Sequence, residues 1–225
     1  MARQEFDNSL HKLETEIKIM VSQVELSIEK AMKSLIEQDL VLADEVIKND
    51  DIIDKMQDDL EKLCIDLIRR EQPLAGDLRE IVACMYVIEE LERIGDYAEG
   101  IAVLTNRMGI RPLPTDLVII PQISIISISM LKTSTETFLL KNADEVKNRY
   151  KKLQKEDTKL DKLYKDVQER LIELMKRKPN EIERATFLSV SYTHLRAHET
   201  LRYLVCRRGG EKKRGGGGGG GGGGG

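Results

Sequence analysis

Apolar residues recur three and four positions apart along most of the chain, the spacing of a helix that buries one stripe. Phe6, Leu10, Leu13, Ile17, Met20 and Val24 set that rhythm within residues 4–38. Asp39 is placed to cap a second long helix running to about Glu71, with apolar positions that include Leu40, Ala43, Val46, Ile47, Ile53, Met56, Leu60, Leu63 and Leu67. Pro73 and Gly76 interrupt the pattern, and Asp77 is placed to cap a third helix through about Met108. Gly109-Ile110-Arg111-Pro112-Leu113-Pro114 reads as an interdomain linker, since its two prolines cannot continue a helix. The pattern then restarts, with a fourth helix over roughly 115–141 and a fifth over roughly 143–176. Lys178-Pro179-Asn180 breaks the chain, and a sixth helix starts near Glu181 and is cut off within about three turns. Nothing reads as a strand.

Long helices joined by short loops predict antiparallel bundles. The expected fold is all-α: two tandem three-helix bundles, the second truncated in its last helix. Residues 1–108 form the first bundle, 109–114 the linker, 115–188 the incomplete second bundle and 189–225 an extraneous tail. The stretch Leu117–Leu131 is the most apolar, but Pro121, Ser124, Ser127 and Ser129 interrupt it and it is too short to span a bilayer. A helix apolar on most sides belongs in a core or a subunit interface.

The tail changes how the composition is read. Of 17 Gly, thirteen lie after Leu188, leaving Gly76, Gly95, Gly100 and Gly109 in the body. Val190 to Thr200 resembles, letter for letter, one translated frame of a transposase-type sequencing adapter. Tyr203–Arg207 matches the flow-cell end of such an adapter, and a run of G calls translates as poly-Gly. The frame is therefore expected to leave its DNA insert near Leu188 or Ser189, and the tail is set aside as foreign. His194 and His198, with Glu199 and Cys206 nearby, imitate a zinc-site spacing within it. Without the tail, residues 1–188 carry 29 basic and 37 acidic groups, a balance of −8 that argues against nucleic-acid binding.

The N-terminus has no signal-peptide core and no apolar run reaches ~20 residues, so the expected location is cytoplasmic. Cys64 and Cys84 read as small core residues, not as a disulfide framework. Neither has a local His partner and no Gly-rich phosphate loop precedes a helix, so no catalytic residue is assigned and the chain is not expected to be an enzyme.

Paired carboxylates carry the candidate chemistry. Asp50 and Asp54 lie one helical turn apart on one face, and Asp157 and Asp161 repeat the pair 107 residues later. Asp54-Lys55-Met56 matches Asp161-Lys162-Leu163 in the flanks. In the third helix, Glu92-Arg93-Ile94-Gly95-Asp96 gives another acid pair at the same spacing. Like charges at i, i+4 weaken a helix by a few tenths of a kcal/mol, so a repeated repulsive device suggests a compensating cation. Pairs on the second and third helices could face each other and offer four carboxylates to one ion or a small cluster. The competing reading is a solvated acidic face balanced by Lys. Gly95, costing ~1 kcal/mol against Ala inside a helix, marks either close helix packing or the approach of a ligand.

Leu91-Glu92-Arg93-Ile94-Gly95-Asp96-Tyr97-Ala98-Glu99-Gly100-Ile101-Ala102 resembles the signature of the PhoU family of phosphate-transport accessory proteins. Gln72–Arg79 resembles the turn that family carries before its third helix, and Phe6–Leu13 fits as well. The resemblance covers about residues 4–188. It implies two tandem three-helix bundles, a homodimeric tendency, and metal clusters (Fe, Mn, Mg or Zn) on paired E/D-x-x-x-D motifs. Residue by residue, Glu92 and Asp96 match the strongest motif, Asp50 and Asp54 its partner, and Asp157 and Asp161 the first pair of the second repeat. A second Glu-Arg-Ile-Gly-Asp-like segment is expected near positions 196–199, where the adapter-like sequence stands.

The role implied is regulatory. PhoU-type proteins restrain the phosphate-starvation response, linking the ATPase of a phosphate ABC transporter to a sensor histidine kinase and meeting the membrane only through those partners. Two other classes compete. A carboxylate-bridged oxidase or storage bundle would use Glu-x-x-His pairs, and His11 is the sole His before the tail. A membrane-remodelling helical protein would prefer a cationic surface.

Overall fold

The computed structural model describes residues 2–110, 119–140 and 142–194. Six α-helices follow in order: α1 (Ala2–Glu37), α2 (Leu40–Glu71), α3 (Ala75–Met108), α4 (Ile120–Leu139), α5 (Ala143–Arg177) and α6 (Ile182–His194). A 3-10 turn at Pro179–Glu181 joins the last two. The described residues contain no strand, and the fold is all-α, a tandem pair of three-helix bundles.

Local chemistry sets most boundaries. The Asp39 carboxylate accepts the Leu42 N–H at 3.0 Å and starts α2, as its spacing suggests. At the far end, Gln72 turns into the left-handed region with φ 43° and its N–H returns to the Ile68 carbonyl. Asp77, expected to cap the third helix, lies inside its first turn. Leu74 is the N-cap instead, extended at φ −66° and ψ 164° without a side-chain cap, and the helix begins at Ala75. There Asp77 complements the helix dipole without capping it. Asn142 caps α5, its side-chain oxygen accepting from the N–H groups of Asp144 and Glu145 at 3.0 and 3.1 Å.

Differences from the sequence reading gather in the second half. The fourth helix is described over Ile120–Leu139, and the 115–118 part of its expected range lies outside the described residues. Residues 111–118 are outside the described set, and with them most of the expected linker. Helix α6 runs through His194, past Val190 where no periodicity was read. A helix already docked by Ala185 and Leu188, both fully buried, can carry a few residues of indifferent pattern beyond its last anchor.

α1, α2 and α3 pack on one another, α5 packs on α4 and α6, and α1 against α4 and α3 against α6 join the bundles. One continuous apolar core results. Leu13, Ile17, Met20, Leu35, Ile81, Ile88, Leu91 and Ile101 are among its largest fully buried side chains, each stabilising by roughly 1.5–3 kcal/mol through burial. The apolar stretch of α4 joins this core through Ile120, Ile123, Met130 and Leu131, while Ile125 stays exposed. Among the described residues no helix is long and apolar enough to cross a membrane.

Candidate metal centre

Two contacts fix the antiparallel register of α2 and α3. A Cβ added at Gly95 would stand 3.1 Å from both Cγ2 and Cδ1 of Ile53 and 3.5 Å from Oδ1 of Asp50. One end further along, Asn106 Nδ2 donates to Asp44 Oδ1 at 2.7 Å. Gly95 thus lets the helices approach where Ile53 is buried, and the same close approach brings the acidic residues on either side together.

That register gathers Asp50 and Asp54 of α2 with Asp96 of α3, each offering a carboxylate oxygen within 4.8 Å of the others. Asp50 is half-buried, whereas Asp54 and Asp96 are exposed at the rim. Oδ1 of Asp50 is itself fully buried and accepts no hydrogen bond. Buried carboxylate oxygens are normally satisfied.

The electrostatics report the same crowding. Burial, then Asp54, Glu99, Asp96 and Glu92, pushes the Asp50 carboxyl up to about 7. Glu92 is raised by burial and then by Asp96 and Asp54, with Arg93 opposing. Asp96 is raised by burial and by Asp54, again against Arg93. Arg93 is the nearby cation, yet its guanidinium is engaged by Glu90 at 3.1 Å and Glu89 at 3.6 Å. Among the described residues no Lys or Arg forms an ion pair with Asp50, Asp54, Glu92 or Asp96.

An all-carboxylate donor set with an orphaned buried oxygen fits a hard or borderline cation such as Mg, Mn or Fe; zinc sites favour nitrogen and sulfur. Asp50, Asp54 and Asp96 could hold such an ion, with Glu92 beside them. It would offset the mutual repulsion that α2 and α3 build in.

Glu99 shares the acidic face of α3 without joining the three converging carboxylates. Burial, then Asp96, Asp54 and Asp51, raises its carboxyl above the usual range. The signal was available: Glu92, Asp96 and Glu99 follow an i, i+4, i+7 stripe on one helix face. A search confined to i, i+4 pairs stops at Asp96.

The second pair is placed differently. Asp157 is only 5% exposed and Asp161 is half-buried, both on α5. Among the described residues they join no group of three metal-binding side chains. Positions 196–199, where an opposing acidic segment was expected, lie outside the described residues, as do His198, Glu199 and Cys206. Both body cysteines are buried as expected, and burial followed by Glu61 pushes the Cys64 thiol up to about 12.

The PhoU domain profile matches residues 17–105, a span that contains Asp50, Asp54, Glu92, Asp96 and Glu99 but not Asp157 or Asp161. A phosphate-specific transport system accessory protein PhoU homolog of Aquifex aeolicus is 36% identical over 78% of this chain and 77% of its own length. The chain belongs to the PhoU family. A PhoU homolog of Clostridium acetobutylicum is 32% identical, covering 83% of this chain and 84% of its own. Among solved structures, PhoU from Pseudomonas aeruginosa superposes with a TM-score of 0.81 at 26% identity, over 89% of this chain and 95% of that one. The phosphate transport system regulatory protein PhoU from Streptococcus pneumoniae gives 0.77 at 27% identity, over 90% and 94%. The PhoU likeness therefore extends well beyond the profile match, through both bundles.

Proposed function

We propose that this chain is a cytoplasmic accessory protein of phosphate transport that holds down the phosphate-starvation response as an adaptor. It passes the state of a phosphate ABC transporter, through its ATPase, to a sensor histidine kinase. It acts as a homodimer, performs no catalysis of its own, and reaches the membrane only through those partners. Its working parts are a first bundle through residue 108, a linker at 109–114 and a second bundle from 115. Metal held by Asp50, Asp54, Glu92 and Asp96 fixes the α2–α3 face, and Asp157 and Asp161 are half of the corresponding site in the second bundle.

The observation that carries this reading is a converging, unneutralised carboxylate cluster in a chain of the PhoU family. The accessory role rests on the names that its relatives bear. A carboxylate-bridged oxidase has less support. His11 is exposed on α1, where its partner is Glu14 at 3.8 Å, remote in sequence from the acidic pairs.

Expression of the chain in a bacterium deleted for its own family member tests the proposal. Repression of a phosphate-starvation reporter in phosphate-replete medium should return, and an Asp54→Asn/Asp96→Asn variant should restore it less well. Normal accumulation of the chain with an unrepressed reporter would overturn the adaptor role. Metal-dependent oxygen consumption by the purified protein would favour the oxidase.

A further inference from the structure

Away from the acidic cluster, α1, α4 and the start of α5 enclose an open groove of about 510 Å³. A volume of that size suits an organic ligand and exceeds what a bare inorganic ion needs. Its walls come from both bundles: Lys18, Val21 and Glu25 of α1, Lys132 and Leu139 of α4, and Arg149 of α5. α1 and α4 run antiparallel here. Glu25 lies in the field of Lys132, whereas Ile36, further along α1, shares a second groove with Ser124, nearer the start of α4. Lys18 therefore stands toward Leu139 and Glu25 toward Lys132. The seven residues from Lys18 to Glu25 span about 10 Å along the helix axis.

The two ends differ in chemistry. At the first, Arg149 donates to Glu136 at 2.9 Å and to Glu145 at 3.0 Å, so two carboxylates hold the guanidinium in place. Those bonds leave Arg149 with further N–H donors in its planar fork. Lys18, on the same end, is exposed and makes no ion pair among the described residues. At the second end, burial raises the Glu25 carboxyl above its usual range and Lys132 opposes the shift, favouring the ionised, accepting form. Glu25 is half-buried, yet among the described residues it accepts no hydrogen bond and Lys132 makes no ion pair. Val21 is buried and Leu139 partly so, which gives the groove an apolar stretch. A half-buried carboxylate without a donor and cations without acceptors are what a polar ligand would satisfy.

We propose that this groove binds a nucleoside monophosphate, its phosphate held by Lys18 and Arg149 and an amino group of its base donating to Glu25. The planar fork of Arg149 matches phosphate oxygens, and the apolar stretch receives the body of the ligand. One ligand then bridges the two bundles, through α1 of the first and α4 and α5 of the second. The groove shares no residue with the acidic cluster, so it stands or falls apart from the metal reading.

Calorimetric titration of the full metal-free chain with AMP, in buffer holding a chelator, is the test. AMP should bind once per chain. Adenosine, which lacks the phosphate, and inorganic phosphate, which lacks the base, should each bind roughly tenfold more weakly or worse. Lys18→Gln should weaken AMP about tenfold, the worth of one charge-assisted hydrogen bond, and leave adenosine unchanged. Glu25→Ala should weaken AMP and adenosine but not inorganic phosphate. Lys12→Gln, at an exposed lysine of α1 outside the groove, should change nothing. Circular dichroism checks that each variant keeps the native helix content. No saturable AMP binding, binding undiminished by Lys18→Gln, or inorganic phosphate held as tightly as AMP would overturn the proposal. Equal weakening by Lys12→Gln would overturn it too, because that marks unspecific attraction to charge.

Discussion

On α2, Asp50 and Asp54 meet Asp96 of α3 across a glycine-permitted contact. On α5, Asp157 and Asp161 repeat the spacing and the flanks, yet no third metal-binding group joins them among the described residues. The two pairs also differ in depth, since Asp157 is 5% exposed whereas Asp54 lies at an exposed rim. An acid pair one turn apart is thus not yet a site. What makes one is the opposing helix, held in register so that a second set of carboxylates arrives at the same place.

The largest effects should come from the core beneath each pair. Leu91 on α3 and Leu160 on α5 are both fully buried. Truncation of either to Ala should cost about 2–5 kcal/mol through the lost contacts and the cavity left behind. Chemical denaturation should show similar losses, but calorimetric metal titration should weaken only for Leu91→Ala, which loosens the helix carrying Glu92 and Asp96. Equal weakening by Leu160→Ala would erase the distinction between the two regions.

A smaller and more local effect is expected at Gly95. In Gly95→Val the new Cβ meets Ile53 at 3.1 Å, and overpacking of this kind costs ~1–3 kcal/mol. Separation of α2 from α3 should lower metal affinity beyond what the stability loss explains. Unchanged affinity in a folded Gly95→Val protein would mean that the close helix approach does not matter for the cluster.

The mildest effect is on pH dependence. The Asp50 carboxyl titrates near 7 in the folded protein, against 3.8 for the unperturbed group. Between those values the folded state binds more protons than the unfolded one, so metal-free stability should be full below about pH 4 and fall as pH rises toward 7. Glu92, Asp96 and Glu99 are raised too and act in the same sense. Thermal melts of the metal-free chain should therefore show a lower midpoint at pH 7.5 than at pH 5.5, and Asp50→Asn should flatten the slope. The same slope surviving in Asp50→Asn would place its origin elsewhere.

Much of the fold could be read from local pattern, because its signals act over a few residues. Asp39 as a cap, the Pro73 break and the ends of α2 and α3 all depend on backbone chemistry within one or two turns. The start of α3 was misplaced because the helix begins from an extended Leu74 with no side-chain cap, three positions before the residue with good capping chemistry. The extent of α6 was missed because packing anchors a helix more strongly than its last few residues advertise. The acidic pairs on α2 and α3 were visible as spacing, but their meeting depends on inter-helix register. Glu99 sits on the same stripe of α3 as Asp96, its first charged neighbour, while Asp54 and Asp51 reach it from α2.

The central claim is that the α2–α3 cluster binds metal through the convergence of two helices. Calorimetric titration of the intact metal-free chain with Mn(II) tests this most directly, beside an Asp54→Asn/Asp96→Asn variant and an Asp157→Asn/Asp161→Asn variant. The account predicts saturable binding to the intact chain, its loss in the first variant, and retained binding at the α2–α3 cluster in the second. Unchanged binding in the first variant, or complete loss in the folded second, would contradict it.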